Sequence, residues 1–198
     1  RNMTLQSGSA DYLGFIRADK TVVENCIING KTFYWGYSSA IFRNTTFVCP
    51  KGDYALWTYS SPEMTFDGCT FNSSGKTINV YTDYSAGKHD ITVNFNNCTV
   101  NSEAAIKNVL NINDSNMGNY KYRIHISGNN SINGSVYRDK VTCSRWFGFG
   151  GKPGNNTGRS VVTFDSTPVF ENGEMLGHEL HPEYTDGYKD NAYTVTTT

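Results

Sequence analysis

Titratable and nucleophilic side chains are where chemistry would start, and in this sequence they do not assemble. Hydrolysis of a glycosidic bond needs two carboxylates flanking that bond. The set nearest to this requirement is Asp83 and Asp90 with Arg123 and His125, yet no two Asp residues are adjacent anywhere in the chain. In Gly177-His178-Glu179-Leu180-His181 the histidines are spaced His-x-x-His, whereas a zinc-binding helix places them four apart. That phrase lies between Asn172-Gly173 and Pro182 and reads as a loop with solvated histidines, so no metal and no cofactor are expected. The five cysteines, Cys26, Cys49, Cys69, Cys98 and Cys143, form no CxxC pair. An odd set of that kind fits neither a zinc ribbon nor a fully paired disulfide framework. The expectation is a buried ladder of reduced thiols, because free Cys behaves as a small apolar core residue. An enzyme is therefore not expected.

Aromatic residues give a sharper signal. In a strand, residues i and i+2 share a face, so Trp35 with Tyr37, Trp57 with Tyr59, and Tyr81 with Asp83 each form a pair. If Leu56 and Val80, of opposite parity, point into a core, the Trp and Tyr pairs point outward and stack as a ladder. A large exposed aromatic patch marks a binding site, and Trp and Tyr dominate protein hot spots. Asp83, Lys107 and Arg138 would supply its polar edges. The competing arrangement puts Trp35 and Trp57 under a loop or the terminal segment as a satellite core, since large aromatics are seldom left exposed. A one-residue slip in any strand would turn its pair inward.

Such a ladder needs stacked strands, and an internal repeat supplies them. Val23-Glu24-Asn25-Cys26-Ile27-Ile28, Phe42-Arg43-Asn44-Thr45-Thr46-Phe47, Phe66-Asp67-Gly68-Cys69-Thr70-Phe71 and Phe95-Asn96-Asn97-Cys98-Thr99-Val100 share one pattern: apolar, polar, Asn or Gly, small, any, apolar. A degraded copy follows at Ile126-Ser127-Gly128-Asn129-Asn130-Ser131-Ile132. After each copy comes a second apolar or aromatic stretch, as at Phe33-Tyr34-Trp35 and Ala55-Leu56-Trp57. Each repeat thus holds at least two strands, with turns at Asn29-Gly30, Pro50-Lys51-Gly52, Ser74-Gly75 and Asn133-Gly134. A unit that buries its inner face only against its neighbours is the logic of a solenoid. In parallel coils, Cys26, Thr45, Cys69 and Cys98 form one inward column with a spacing of about 4.8 Å.

Composition agrees with an all-β chain. Asn (22), Gly (19), Thr (21) and Ser (17) make up two fifths of the 198 residues, which disfavours long helices. The aromatic share of 14% is too high for a disordered tail. A net charge of -1 with no basic run argues against nucleic acid, and no window approaches a membrane-spanning length of apolar residues. The Asn-x-Ser/Thr tripeptides at Asn2, Asn44, Asn72, Asn97, Asn113, Asn129, Asn133 and Asn155 would be glycan acceptors in a eukaryotic secreted protein, though chance accounts for most in so Asn-rich a chain.

With Phe66-Asp67-Gly68-Cys69-Thr70-Phe71 and His89-Asp90-Ile91-Thr92-Val93, residues 15 to 140 resemble the right-handed parallel β-helix family, the pectin-lyase-like fold. The ending Tyr184-Thr185-Asp186-Gly187-Tyr188-Lys189-Asp190-Asn191-Ala192-Tyr193 is similar to β-helical modules of wall-attached surface proteins of gut Gram-positive bacteria. The resemblance implies one β-helix domain over residues 1–198, with about five coils. Ser144–Gly154, aromatics among glycines, would form a C-terminal cap that protects the open edge. Residues 165 to 198 would wrap the outside and fray after Thr194.

Pectin-cleaving members of the family use clustered Asp with a basic residue. Here Asp53, Asp67, Asp83 and Asp90 fall at different phases of their coils, and Arg123-Ile124-His125 only loosely echoes an Arg-Ile-Lys phrase of galacturonan hydrolases. The function implied is a non-catalytic, monomeric module on a bacterial cell surface. It would bind a host protein or glycoprotein, immunoglobulin or mucin being candidates, through Trp35, Tyr37, Trp57, Tyr59, Tyr81, Asp83 and Lys107. A polysaccharide lyase or hydrolase and a purely structural stalk are the competing classes.

Overall fold

In the computed structural model, which describes residues 1–6, 12–50, 54–59, 62–74, 76–81, 90–102, 108–113, 122–133, 145–149, 160–164 and 193–197, each copy of the repeat is the end of one strand, a left-handed turn and the start of the next. Asn25, Asn44 and Asn97 have φ of 54°, 46° and 51°, and Gly68 has 62°. Among non-glycine residues Asn tolerates this conformation best, which is why the third position of the pattern is Asn or Gly. At Gly68 a second constraint applies, since an added Cβ would lie 2.7 Å from Asn44 Oδ1. Each turn residue donates its N–H to a carbonyl one coil further on: Asn25 to Arg43 at 3.0 Å, Asn44 to Asp67 and Gly68 to Asn96 at 2.9 Å.

The chain then visits three strand sets in turn, and every described strand pair is parallel. One sheet has six short strands in the order β1 (Thr4–Gln6), β3 (Ile27–Asn29), β5 (Thr46–Cys49), β8 (Thr70–Ser73), β11 (Thr99–Asn101) and β14 (Ser131–Asn133). The other is eleven-stranded, with two arms joined by the long β2 (Tyr12–Glu24) and β4 (Lys31–Arg43). The first half of β4 pairs with β6 (Tyr54–Tyr59). From there the first arm continues through β9 (Lys76–Tyr81), β12 (Asn108–Asn113) and β15 (Arg145–Phe149). The second half of β4 pairs with β7 (Glu63–Asp67), and the second arm continues through β10 (Ile91–Asn96), β13 (Tyr122–Ser127), β16 (Ser160–Phe164) and β17 (Tyr193–Thr197). No helix occurs among the described residues. The result is an all-β, solenoid-like stack with three strand positions per coil, one more than the two that the repeat made visible.

Differences from the sequence reading fall at the ends. The first left-handed turn is at Asn2 (φ 55°), so the stacked pattern starts well before residue 15. Arg145–Phe149, part of the stretch expected as a cap, pairs in parallel with β12 as a further rung; Gly150–Gly154 lie outside the described residues. β17 keeps register with β16 through Thr197, past the point at which fraying was expected. Residues 165–192, expected to wrap the outside, lie outside the described residues.

Inward residues alternate with outward ones, as a pleat requires. In β10, Ile91, Val93 and Phe95 are buried while Thr92, Asn94 and Asn96 are half-buried. The centre of the core is a stack of phenylalanines. Phe42 lies parallel to Phe66 (5.3 Å, 9°) and Phe47 to Phe71 (4.8 Å, 2°), while Phe66 reaches Phe71 edge-on at 5.7 Å and Phe95 at 6.0 Å. Burying each ring is worth about 2 kcal/mol, and each well-placed ring pair adds about 0.5–1.5 kcal/mol.

Beside this stack runs the expected small-residue column. Cys26, Thr45, Cys69 and Cys98 are all buried. Their carbonyls accept from Thr46, Thr70, Thr99 and Ser131 of the following coil at 2.8 to 3.0 Å. Cys26, Cys49, Cys69 and Cys98 are free thiols; Cys143 lies outside the described residues. Several Asn-x-Ser/Thr tripeptides have a structural cause. At Asn2, Asn44 and Asn97 the Asn takes the left-handed turn, one residue follows (Met3, Thr45 and Cys98), and a Thr opens the next strand. Another, Asn72, joins Asn101 and Asn133 in an amide ladder on the six-stranded sheet, with bonds of 2.7 and 2.9 Å.

Candidate binding face

The aromatic residues belong to the first arm, where register decides which of them meet. β4 aligns with β6 as Phe33 with Trp57 and Trp35 with Tyr59. β6 aligns with β9 as Trp57 with Asn79 and Tyr59 with Tyr81. Trp35, Tyr59 and Tyr81 thus share one register column, preceded by Arg17 of β2 and followed by Asn113 of β12. Trp57 belongs to the neighbouring column with Phe33, so the stagger is two residues from the one that the pairs Trp35/Tyr37 and Trp57/Tyr59 imply. Tyr37 stands apart. The β2–β4 register passes from Ala18 opposite Gly36 to Lys20 opposite Ser39, leaving Tyr37 and Ser38 together against Asp19, with Ser38 Oγ donating to the Asp19 carboxylate. A bulge of this kind turns the strand at the corner between the arms. Asp83, Lys107 and Arg138 lie outside the described residues.

Trp57 itself is half-buried. Its ring centroid lies 5.6 Å from that of Phe33 and 5.1 Å from that of Tyr54. The Lys31 Nζ sits 5.7 Å from the centroids of both Phe33 and Trp57, within reach of a cation–π attraction. The surrounding strip is covered: Lys31 is 8% exposed, Ala55 and Thr77 0%, and Asn79 2%. Met3, Val22 and Ile27 are large apolar side chains left exposed. At Trp57, then, the open plate expected from the sequence is replaced by a half-buried aromatic pair beside a buried lysine. Lys31 and Phe33 were missed as site residues, although Lys31-x-Phe33 carries the i, i+2 signal of a shared face.

The second arm holds the remaining polar candidates. Arg123 pairs with Asp90 at 3.1 Å, and both side chains are largely exposed. His125, two residues along the same strand, stands opposite Asn94. Glu63 and Asp67 lie four residues apart on β7, roughly 13 Å along the strand. Asp83, the other member of that set, lies outside the described residues, as do His178 and His181. No group of three or more metal-ligating side chains occurs among the described residues.

The thiols of the column are buried, with Cys69 and Cys98 held away from solvent. Burial pushes the Cys98 thiol well above its ordinary range, helped by its hydrogen bond with Cys69. Cys69 is drawn the other way by the same hydrogen bond, against its own burial. The Cys98 Sγ donates to the Asn96 carbonyl at 3.2 Å.

Comparison of the chain with protein-family models, with curated proteins and with solved structures finds no match.

Proposed function

We propose that this protein is a non-catalytic binding module whose ligand seats on the outer face of the first arm, around Trp57. The observation that carries this reading is the cluster of Trp57, Phe33 and Lys31, a half-buried aromatic pair with a cation held against both rings. It lies outside the phenylalanine core, which packs without it. The column Trp35–Tyr59–Tyr81 extends the same face in register. Half-buried aromatic surface suits ligand stacking, because the rings are already fixed and little ordering is needed on binding.

The reading includes a right-handed parallel β-helix, since parallel crossovers in a sheet take that hand almost without exception. It also includes display on a bacterial surface towards a host protein or glycoprotein, which rests on the resemblance described above. The test is binding of purified immunoglobulin and of mucin to the wild-type chain and to a Trp57→Ala variant whose folding is checked by circular dichroism. Hot-spot behaviour at Trp57 weakens binding about 30-fold. Equal binding by both chains would move the site elsewhere, and binding by neither would refute these ligands.

A further inference from the structure

We infer that Cys69 and Cys98 form a covalent modification site, at which hydrogen peroxide joins two neighbouring coils by a disulfide across the core column. Register brings the pair together. Asp67 is the partner of Asn96 just before them and Thr70 of Thr99 just after, and the Cys69 carbonyl accepts from the Thr99 N–H at 2.9 Å. Their Cα atoms are therefore one strand spacing apart, about 4.8 Å, inside the range of about 4.4–6.8 Å that a disulfide spans. Both side chains also take the same direction. Cys69 Sγ donates to the Phe42 carbonyl at 3.3 Å and Cys98 Sγ to the Phe66 carbonyl at 3.5 Å, and Phe42 and Phe66 are themselves register partners. A side-chain hydrogen bond joins the two thiols.

Among the described residues no other cysteines stand in this relation. The Cys26 carbonyl accepts from Thr46 and the Thr45 carbonyl from Thr70, so Thr45 separates Cys26 from Cys69 by two strand spacings, about 9.6 Å, beyond a disulfide's reach. Cys49 is the partner of Ser73 on one side and level on the other with Gly30, the residue after Asn29 of β3. Within the pair the roles differ. The hydrogen bond from Cys98 draws Cys69 toward its thiolate, which makes Cys69 the attacking sulfur. Its thiolate displaces hydroxide from peroxide: an S–O bond forms, the O–O bond breaks, and the hydroxide leaves as water with the proton Cys69 gave up. The Cys98 sulfur then attacks the Cys69 sulfenic acid, the S–S bond replaces the S–O bond, and the Cys98 proton leaves with the hydroxyl as a second water. Peroxide is small and uncharged, so a brief local opening of the coil admits it where a bulky disulfide reagent is kept out. The bridge closes a loop of about 30 residues, a length at which a cross-link stabilises the chain appreciably.

The experiment treats the fully reduced chain with graded hydrogen peroxide, quenches with catalase, alkylates the remaining thiols in urea and maps the peptides by mass spectrometry. A Cys98→Thr variant runs beside it, chosen because Thr45 already fills the same buried position in another coil. The expected product is one intramolecular bridge, Cys69 to Cys98, with Cys26 and Cys49 recovered as alkylated thiols. The melting midpoint of the oxidised chain rises by about 10 °C, reduction in urea followed by refolding reverses the rise, and Cys98→Thr shows neither bridge nor rise. Sulfinic acids on Cys69 or Cys98 in place of a bridge would overturn the inference, as would thiols that stay reduced at every dose. So would a bridge from either residue to Cys143 or to a second chain, or a Cys69–Cys98 bridge that leaves the midpoint unchanged. If Cys98→Thr does not fold, the peptide map and melting of the wild-type chain decide alone.

Discussion

Replacing Phe66 with Ala tests whether the phenylalanine stack is the main source of stability. Phe66 is fully buried and has four rings around it: Phe42 at 5.3 Å, Phe71 at 5.7 Å, Phe95 at 6.0 Å and Phe47 at 6.4 Å. Truncating a buried Phe to Ala costs about 3–5 kcal/mol in lost transfer energy and residual cavity. Neighbours held by sheet hydrogen bonds in two directions collapse poorly into the hole, so the upper half of that range, about 4 kcal/mol, is expected. Against a total of about 5–15 kcal/mol for a domain, the variant loses a large part of its stability. Urea unfolding followed by tryptophan fluorescence measures it, with Phe66→Leu as a control expected to cost less than about 1.5 kcal/mol. A loss below about 1 kcal/mol at unchanged m-value would refute the reasoning. A fall in the m-value would instead show that the coils on either side of Phe66 have ceased to unfold together, as nearest-neighbour coupling in a solenoid allows.

Other expectations follow from the turns, thiols and surface. Gly68→Ala forces a Cβ into the left-handed region at φ 62° and against the Asn44 amide at 2.7 Å, so it destabilises by about 1–2 kcal/mol; Gly68→Asn costs less, and thermal melting of the two variants ranks them. Because burial raises the Cys98 thiol above its ordinary value of 9.0, the unfolded chain releases that proton first as pH climbs. The contribution of Cys98 is therefore fully present below pH 9 and is lost progressively as the pH rises above it. Urea titrations at pH 8 and pH 10 show this as a steeper loss in the wild type than in Cys98→Ala; parallel slopes would contradict it. Ellman's reagent should leave Cys26, Cys49, Cys69 and Cys98 unmodified in the native chain and react with them in urea, since all four are buried. Arg123→Ala should change stability by less than about 1 kcal/mol, because its pair with Asp90 is exposed; a larger loss in chemical denaturation would show that the pair does more than lie on the surface.

Local chemistry in the sequence was enough to determine the coil corners and the direction of many side chains. A left-handed Asn or Gly followed by a small inward residue marks each turn, and alternation along Ile91–Asn96 or Glu63–Asp67 separates core from surface whatever the rest of the chain does. The buried, reduced thiol column and the inward Tyr34 and Leu56 follow from the same period of two. The number of strands per coil was not legible, because β2 and β4 pass from one arm to the other as continuous strands, through a register shift and not through a break in the strand. Nor was the pairing of aromatics across coils: insertions of differing length slide each strand along its neighbour, and nothing local to Trp35 or Trp57 records that shift. Tertiary structure alone set Trp57 beside Phe33, placed Tyr37 in the bulge and brought Lys31 against two rings. Lateral register is a property of the stacked sheet, fixed by pairing between residues 18 to 38 positions apart.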